Sequence, residues 1–462
     1  MSHSNSNSQI PSNIHLKSHP TARDQACAAN YTFAGTIVLQ VEALATALLP
    51  SEKGQRCDNC MRRPETGTRL AKCTGCAEYW YCGTTCQNIQ WQQHHRRICK
   101  RYNSFLASSK YQELNPTDRV DSILLSHLTN VVFHDHEFKP PSSGLSGPIP
   151  AFFDLMKGPA VTRRNLPLCR TGRTNDLPNN IVEEMYLRFG NNNFLVHSHL
   201  NSCAHGIFPL ASRLFNHSCD PNCVAKYQFI SGKSVMMDIV AIRNIEAGEE
   251  ITLPYLDPAL PFQTRQEALS MNYGFTCTCA LCTFQRGINP LGPLPPPEEL
   301  VKLESDLGEF ASSKILPLEA REGFDFSNTG GARWNLPKHI HPLLNADYMP
   351  SLSEEFSRAS HEGEYAKALS SGKTLLSLYS VLYPLTYPQI GMHALELTKT
   401  AWNAVVTHEQ GHGSGTALGT EYENTARHYL AIASVILDLL GPEGDPGGPL
   451  EELQVMRSSL YV

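Results

Sequence analysis

The chain has 462 residues, of which 41% are hydrophobic and 18% charged, and its net charge is −6. That length exceeds one ordinary core and predicts two to four domains, while the acidic balance argues against a protein that lives by binding phosphate backbones. No apolar run of about 18 residues or more occurs, so no transmembrane helix is predicted. Met1 to Pro20 is rich in Ser, Asn and His, lacks the apolar centre of a signal peptide and reads as a disordered tail. Fifteen cysteines without a secretion signal point to thiolate metal ligands in a reducing compartment.

Tyr31 to Leu49 holds short apolar runs, and Gly35 ahead of β-branched residues predicts a turn into a strand. Seven cysteines then fall between Cys57 and Cys99. With one histidine they are spaced Cys57-x2-Cys60, Cys73-x2-Cys76, Cys82-x3-Cys86 and His95-x3-Cys99. A Cys-x2-Cys pair presents two thiolates from one knuckle, and residues four apart on a helix face the same way, so the eight ligands make two closed tetrahedral zinc sites. A closed site has no place for water, which makes the zinc structural, and so short a segment depends on metal to fold. His94 stands one residue too far from Cys99 for i, i+4 spacing, so His95 is preferred. Arg96, Arg97, Lys100 and Arg101 form a basic run that reads as a solvated helix face.

Tyr102 to Phe138 is expected to be largely helical, with Pro116 as a break or start and Ile123, Leu124, Leu128, Val131 and Val132 as its core stripe. Lys139 to Arg173, rich in Pro and Gly, reads as a loop or insertion. Strands and loops follow from Leu195 to Asp257, with a buried strand at Val235 to Ile242, a turn at Glu246 to Glu250, and a strand at Ile251 to Tyr255 that Pro254 places at an end or edge. Pro258 to Ser270 is helix-like, and Leu291 to Pro297 is a stiff proline-rich linker. Beyond it, amphipathic patterns at Tyr365 to Leu382, His393 to Val406 and Glu421 to Leu440 suggest a helical-repeat array, with Gly411 to Gly419 as a flexible loop inside it.

Two stretches carry chemistry. Asn216-His217-Ser218-Cys219-Asp220-Pro221-Asn222 sets donors, acceptors and a thiolate within one turn of backbone. Cys277-x-Cys279-x2-Cys282 lacks a fourth ligand for a third zinc, which Cys219 supplies, with Cys223 as competitor. Cys27, Cys169 and Cys203 read as ordinary buried thiols.

These residues also carry a resemblance. Tyr81-Cys82, Cys86-Gln87, Trp91 and the closing His95-x3-Cys99 resemble the MYND zinc finger. That implies a cross-braced pairing, Cys57, Cys60, Cys82 and Cys86 on one zinc and Cys73, Cys76, His95 and Cys99 on the other, and a surface for proline-containing partner peptides. Asn216 to Asn222, Gly248-Glu249-Glu250-Ile251-Thr252 with Tyr255, and Tyr273-x-Phe275-x-Cys277-x-Cys279-x2-Cys282 look like a SET domain with its post-SET zinc loop. Together they resemble the SMYD family of protein-lysine methyltransferases.

The resemblance implies an α+β fold: a mainly β SET domain split by the finger, with an all-helical, TPR-like C-terminal domain. The corresponding boundaries are 1–20 tail, 21–56 first SET part, 57–99 finger, 100–195 helical insert, 196–269 SET core, 270–290 post-SET loop, 291–299 linker and 300–462 helical domain. It further implies S-adenosylmethionine as methyl donor, about three zinc ions, a lysine of a histone or other protein as substrate, and residence in nucleus and cytoplasm. Asn216 and His217 would bind the cofactor, Asn192 its amino-acid end, and Phe275 its adenine. Tyr255, also at the cofactor, and Tyr273 would wall the lysine channel and favour the cationic amine by cation–π contact. The reaction is an in-line displacement at a sulfonium methyl, in which positioning and desolvation dominate. One place departs: where the family carries Gly-x-Gly, this chain reads Arg23-Asp24-Gln25. That departure favours a rival reading, a catalytically weak adaptor.

Overall fold

The computed structural model describes residues 10–20, 23–133, 143–158, 166–170, 179–288, 290–315, 324–327, 330–413 and 415–461. The first element corrects an expectation. Part of the presumed tail is a strand, β1 (Ile14–Ser18), paired antiparallel with β2 (Asp24–Ala28). Ile14 is buried there, and the alternation of Ile14 and Leu16 supplies the strand signal that the polar composition hid. Residues 1–9 of that expectation lie outside the described residues.

Small sheets build the core around this hairpin. β3 (Ile37–Glu42) is an edge of the sheet β10 (Cys223–Gln228), β11 (Met236–Ala241), β3. A second sheet orders β4 (Ala45–Leu48), β8 (Asn201–Ile207) and β7 (Asn193–Ser198). Val38, Val196, Phe208, Phe215, Met237 and Ile239 fill the space between them. The short β9 (Asn216–His217) lies parallel to β12 (Thr252–Leu253).

Between β4 and β7 the chain makes two excursions. The Cys-rich module holds a small hairpin, β5 (Ala71–Lys72) with β6 (Trp80–Tyr81), then α1 (Thr84–Gln90), a π turn at Trp91–His95 and α2 (Arg96–Leu106). After α3 (Ser109–Gln112), α4 (Pro116–Val132) starts at the proline, where the missing N–H would have no partner anyway, and Asn115 caps it by accepting from Asp118 N at 2.9 Å. Its Leu124 and Leu128 pack on Ala47 and Ile207. The expected loop from Lys139 to Arg173 contains a helix, α5 (Pro148–Phe153), because Pro148 and Pro150 sit in a first turn where proline is tolerated; Phe152 and Phe153 anchor it. Residues 134–142, 159–165 and 171–178 lie outside the described residues. Next comes α6 (Asn179–Phe189).

The run expected to be strands and loops also holds a helix, α7 (Pro209–Leu214), which buries Leu210, Ala211 and Leu214 and delivers the chain into Asn216. α8 (Phe262–Tyr273) and α9 (Ala280–Ile288) frame the last cysteine stretch. Pro297 opens α10 (Pro297–Phe310), followed by α11 (Tyr348–Glu362), α12 (Tyr365–Leu382), α13 (Pro388–His412), α14 (Ala417–Leu440) and α15 (Pro449–Leu460). α13 and α14 run so close that a Cβ on Gly391 would stand 2.8 Å from Ile436. Their core includes Val224 and Ile242 from the sheet region, and Leu382 packs in the cluster with Cys219, Leu269 and Leu281, so the two halves share apolar core. After α14 the chain returns to the sheets: Lys226 Nζ donates to the Leu440 carbonyl at 2.6 Å, and Asp445 accepts from Arg56 at 2.6 Å and from Ser198 at 3.0 Å.

Candidate functional site: three thiolate clusters and an aromatic cleft

Three sets of four ligands converge: Cys57, Cys60, Cys82 and Cys86; Cys73, Cys76, His95 and Cys99; Cys219, Cys277, Cys279 and Cys282. Within the sets, Sγ pairs stand 3.7 Å apart for Cys60 and Cys82, 3.7 Å for Cys73 and Cys99, and 3.5 Å for Cys219 and Cys282. A tetrahedral zinc with 2.3 Å Zn–S bonds needs an S–S edge of about 3.8 Å, so the donor sets fit zinc. His95 Nε2 lies 3.3 Å from Cys73 Sγ, brought there by the π turn, whereas His94 turns away and stacks on His127 at 4.0 Å. Cys223 stays at the start of β10, buried, and is outside the third set. Hydrogen bonding among the crowded thiols pulls Cys277 down and pushes Cys219 up. Such shared protons are what a divalent cation displaces.

The third cluster is tied directly to Asn216 and His217. Ser218 N donates to the Leu253 carbonyl at 3.0 Å, extending the β9–β12 pairing. His217 Nδ1 accepts from Tyr255 N at 2.9 Å, which leaves the ring proton on Nε2, 3.1 Å from Cys219 Sγ. A histidine N–H therefore faces a ligand sulfur, the usual outer-shell support of a zinc thiolate. Sequence reasoning missed this pairing, and also missed Arg265. That residue is fully buried under the same cluster, with Pro258 O at 2.8 Å and Cys282 Sγ at 3.9 Å from its guanidinium. An arginine on a polar helix gives no signal of such a place.

Tyr255, Tyr273, Phe275 and His217 form one aromatic group. Ring centroids are 5.0 Å apart for Tyr255 and Tyr273, 5.2 Å for His217 and Tyr255, and 6.0 Å for His217 and Phe275. Gly274, at φ +74° in the left-handed region, ends α8 and lets Tyr273 and Phe275 turn to this group. The Tyr255 hydroxyl donates to the Phe215 carbonyl at 2.7 Å, and burial raises both tyrosines above the usual phenol range. Both stay neutral hydroxyls through the physiological range. Asn192 lies apart in its bonding: from the turn after α6 its carboxamide donates back to the Arg188 carbonyl of that helix at 2.7 Å, while Asn191 reaches the Asn272 carbonyl beside Tyr273.

The segment at Arg23-Asp24-Gln25 closes the other side. Arg23 pairs with Asp154, and Arg213 bridges Asp154 and Asp24 at 2.7 Å each. Asn216 Nδ2 donates to the Asp24 carbonyl at 2.8 Å and to Glu250 Oε1 at 2.7 Å, while Gln25 Nε2 donates to Glu250 Oε2 at 3.0 Å.

Thiolate clusters, a parallel β9–β12 pairing and an aromatic group define a class. Residues 34–256 match the SET domain model, and the chain carries a SET domain. Among curated proteins it is similar to histone-lysine N-methyltransferase SMYD3 of Mus musculus, 28% identical over 267 residues, 54% of this chain and 57% of that one. N-lysine methyltransferase SMYD2-B of Xenopus laevis is 27% identical over 271 residues, 54% of this chain and 56% of that one. Histone-lysine N-methyltransferase ASHR1 of Arabidopsis thaliana is 27% identical over 270 residues, 54% of this chain and 50% of that one. The match thus spans about half the length of these relatives. Within the SET class the chain is similar to SMYD-type SET proteins.

Proposed function

We propose that the chain is an S-adenosylmethionine-dependent protein-lysine N-methyltransferase, acting on a histone or another protein in nucleus and cytoplasm. The observation that carries the reading is the packing of His217, Tyr255, Tyr273 and Phe275 into one aromatic group, with Asn216 beside His217 on β9. The residues present fit the cofactor in two respects. Phe275 is half-buried at the edge of the aromatic group, 6.0 Å from the His217 ring and 6.4 Å from the Tyr273 ring, a ring type on which an adenine stacks. Asn216 has both carboxamide hydrogens engaged within the protein, which leaves its oxygen to accept from an α-ammonium group. When bound, the cofactor supplies an electrophilic methyl on sulfonium.

The chain's own residues then do the positioning. Tyr255 and Tyr273 wall a narrow path for a lysine stem, exclude water, and favour the methylated cation by their ring faces. Their raised pKa values keep the hydroxyls as donors and oppose a role as tyrosinate base. The three thiolate sets take about three zinc ions. The first two sets have the ligand spacing that resembles a MYND finger, and that resemblance is what favours the module as the docking place for proline-containing peptides.

The rival, a catalytically weak adaptor, draws on the glycine-free segment at Arg23 to Gln25. Calorimetry of the zinc-loaded chain with S-adenosylmethionine separates the two. Micromolar binding and methyl incorporation on a lysine peptide array are expected; absence of both leaves the adaptor.

A further inference from the structure

Gln25 occupies a place where the SMYD resemblance predicts bare glycine backbone, yet its side chain is not idle. Backbone pairing brings it to Glu250: Ile251 N donates to the Ala26 carbonyl at 2.8 Å, and Cys27 bridges Glu250. The carboxylate of Glu250 then takes an amide donor on each oxygen, Gln25 Nε2 at 3.0 Å and Asn216 Nδ2 at 2.7 Å. All partners of the Asn216 nitrogen are acceptors, so its orientation follows without ambiguity. The second Asn216 hydrogen goes to the Asp24 carbonyl, 2.8 Å away in the residue before Gln25. Arg213 holds Asp24 in turn through its carboxylate at 2.7 Å.

We infer that Gln25 is a positioning residue for Asn216, acting through Glu250, and that it replaces by side-chain bonding what the glycines would have given through bare backbone. This rests on the methyltransferase reading of the cleft. Glycine at this position would leave one oxygen of Glu250 without its amide donor. Glu250 would regain rotamer freedom, and Asn216 would lose a fixed acceptor. Restoring the family's glycine therefore harms this chain instead of repairing it. The double-sided grip also sets specificity. The Asn216 side chain is left to meet a ligand through its oxygen, an acceptor that suits a cationic amino group.

The test uses the full zinc-loaded chain and two variants. Gln25→Gly restores the glycine. Gln25→Met keeps length and backbone preference and removes only the amide, so it separates the hydrogen bond from the entropy of a glycine in a strand. Two readouts are taken. Calorimetry with S-adenosylmethionine is expected to show binding about ten-fold weaker in both variants. Hydrogen exchange of the Asn216 carboxamide is followed by NMR in asparagine-labelled protein without cofactor, the signals being assigned by their loss in Asn216→Ala. Slow exchange in the wild type and faster exchange in both variants is the expected outcome. Unchanged exchange in both variants overturns the inference, as does an affinity in Gln25→Gly equal to or above wild type. A wild-type chain that binds no cofactor sinks the methyltransferase reading alone, because the exchange measurement still decides whether Gln25 positions Asn216.

Discussion

The Arg333 guanidinium, 1% exposed, donates to the Asp220 carboxylate at 2.7 Å. A side chain of the helical half is thereby fixed to the loop that carries Asn216 and Cys219. The same guanidinium holds the Tyr383 carbonyl, lies 4.5 Å from the Trp334 ring, and donates to the Gly330 carbonyl at 3.0 Å. Tyr383 completes a second brace, its hydroxyl donating to Asp257 at 2.8 Å, two residues past Tyr255. Arg333→Met should cost about 3 kcal/mol, since it strands Asp220 and two carbonyls. Denaturant unfolding of Arg333→Met, Asp220→Asn and the double variant checks this. The two losses should overlap strongly; simple additivity would show that the pair does not act as a unit.

Metal content gives a second measurement. Purified chain should hold about three zinc ions, and Cys282→Ser about two. Because His217 Nε2 faces Cys219 Sγ and His217 Nδ1 holds Tyr255 N, loss of the third zinc should loosen the cleft. Cofactor affinity should fall with it. A Cys282→Ser protein that still carries three ions sinks the assignment of this cluster.

His393 predicts a pH dependence of stability. Its ring is enclosed in the helical half, 4.9 Å from Phe356 and 5.4 Å from Tyr379, and bonds the Gly372 carbonyl at 2.8 Å. Burial lowers its pKa to about 4. The folded state then binds fewer protons than the unfolded state between pH 6.5 and 4, so stability is full above the unfolded value and falls as pH drops through that window. The loss should approach about 3 kcal/mol by the lower end. His393→Gln keeps an amide donor and cannot titrate. It should flatten the acid side of a plot of melting temperature against pH, and an unchanged slope would assign the loss to other groups.

Much of this site could be read from residue order because its ligands are local in sequence. Cys57-x2-Cys60 and His95-x3-Cys99 announce a metal through spacing alone. Tyr255 and Phe275 could be placed because motifs flank them on both sides. What could not be read is whatever depends on distant strands meeting. Gln25 reaches Glu250 across 225 positions, and Arg333 reaches Asp220 across 113; neither spacing has a period. The tail misled for a different reason. Ser, Asn and His dominate its composition, yet β1 needs only Ile14 and Leu16 on one face and a partner strand to close it. In α5 prolines that read as breakers proved to be a helix start, because a breaker and a first-turn residue look alike until the following apolar face finds its core.

Tyr255 offers the sharpest test of the cleft. Its ring stands 5.0 Å from Tyr273 and 5.2 Å from His217, its backbone N–H orients His217, and its hydroxyl donates to the Phe215 carbonyl at 2.7 Å. Tyr255→Phe keeps the ring and the backbone bond and removes only the hydroxyl. Stability should drop by about 1 kcal/mol, the worth of one hydrogen bond. Turnover should drop far more, by about 100-fold, if the hydroxyl orients an incoming amine as the methyl is transferred. Cofactor affinity should change little, since the ring and His217 remain. The discriminating quantity is the separation between the two effects. A merely structural tyrosine would lower melting temperature and turnover together, whereas an orienting hydroxyl lowers kcat with cofactor Kd preserved. Because burial keeps this phenol protonated well beyond neutrality, the wild-type rate should also show no descending limb from Tyr255 ionisation below about pH 10. A rate that falls between pH 8 and pH 9 in the wild type and not in Tyr255→Phe would contradict that assignment.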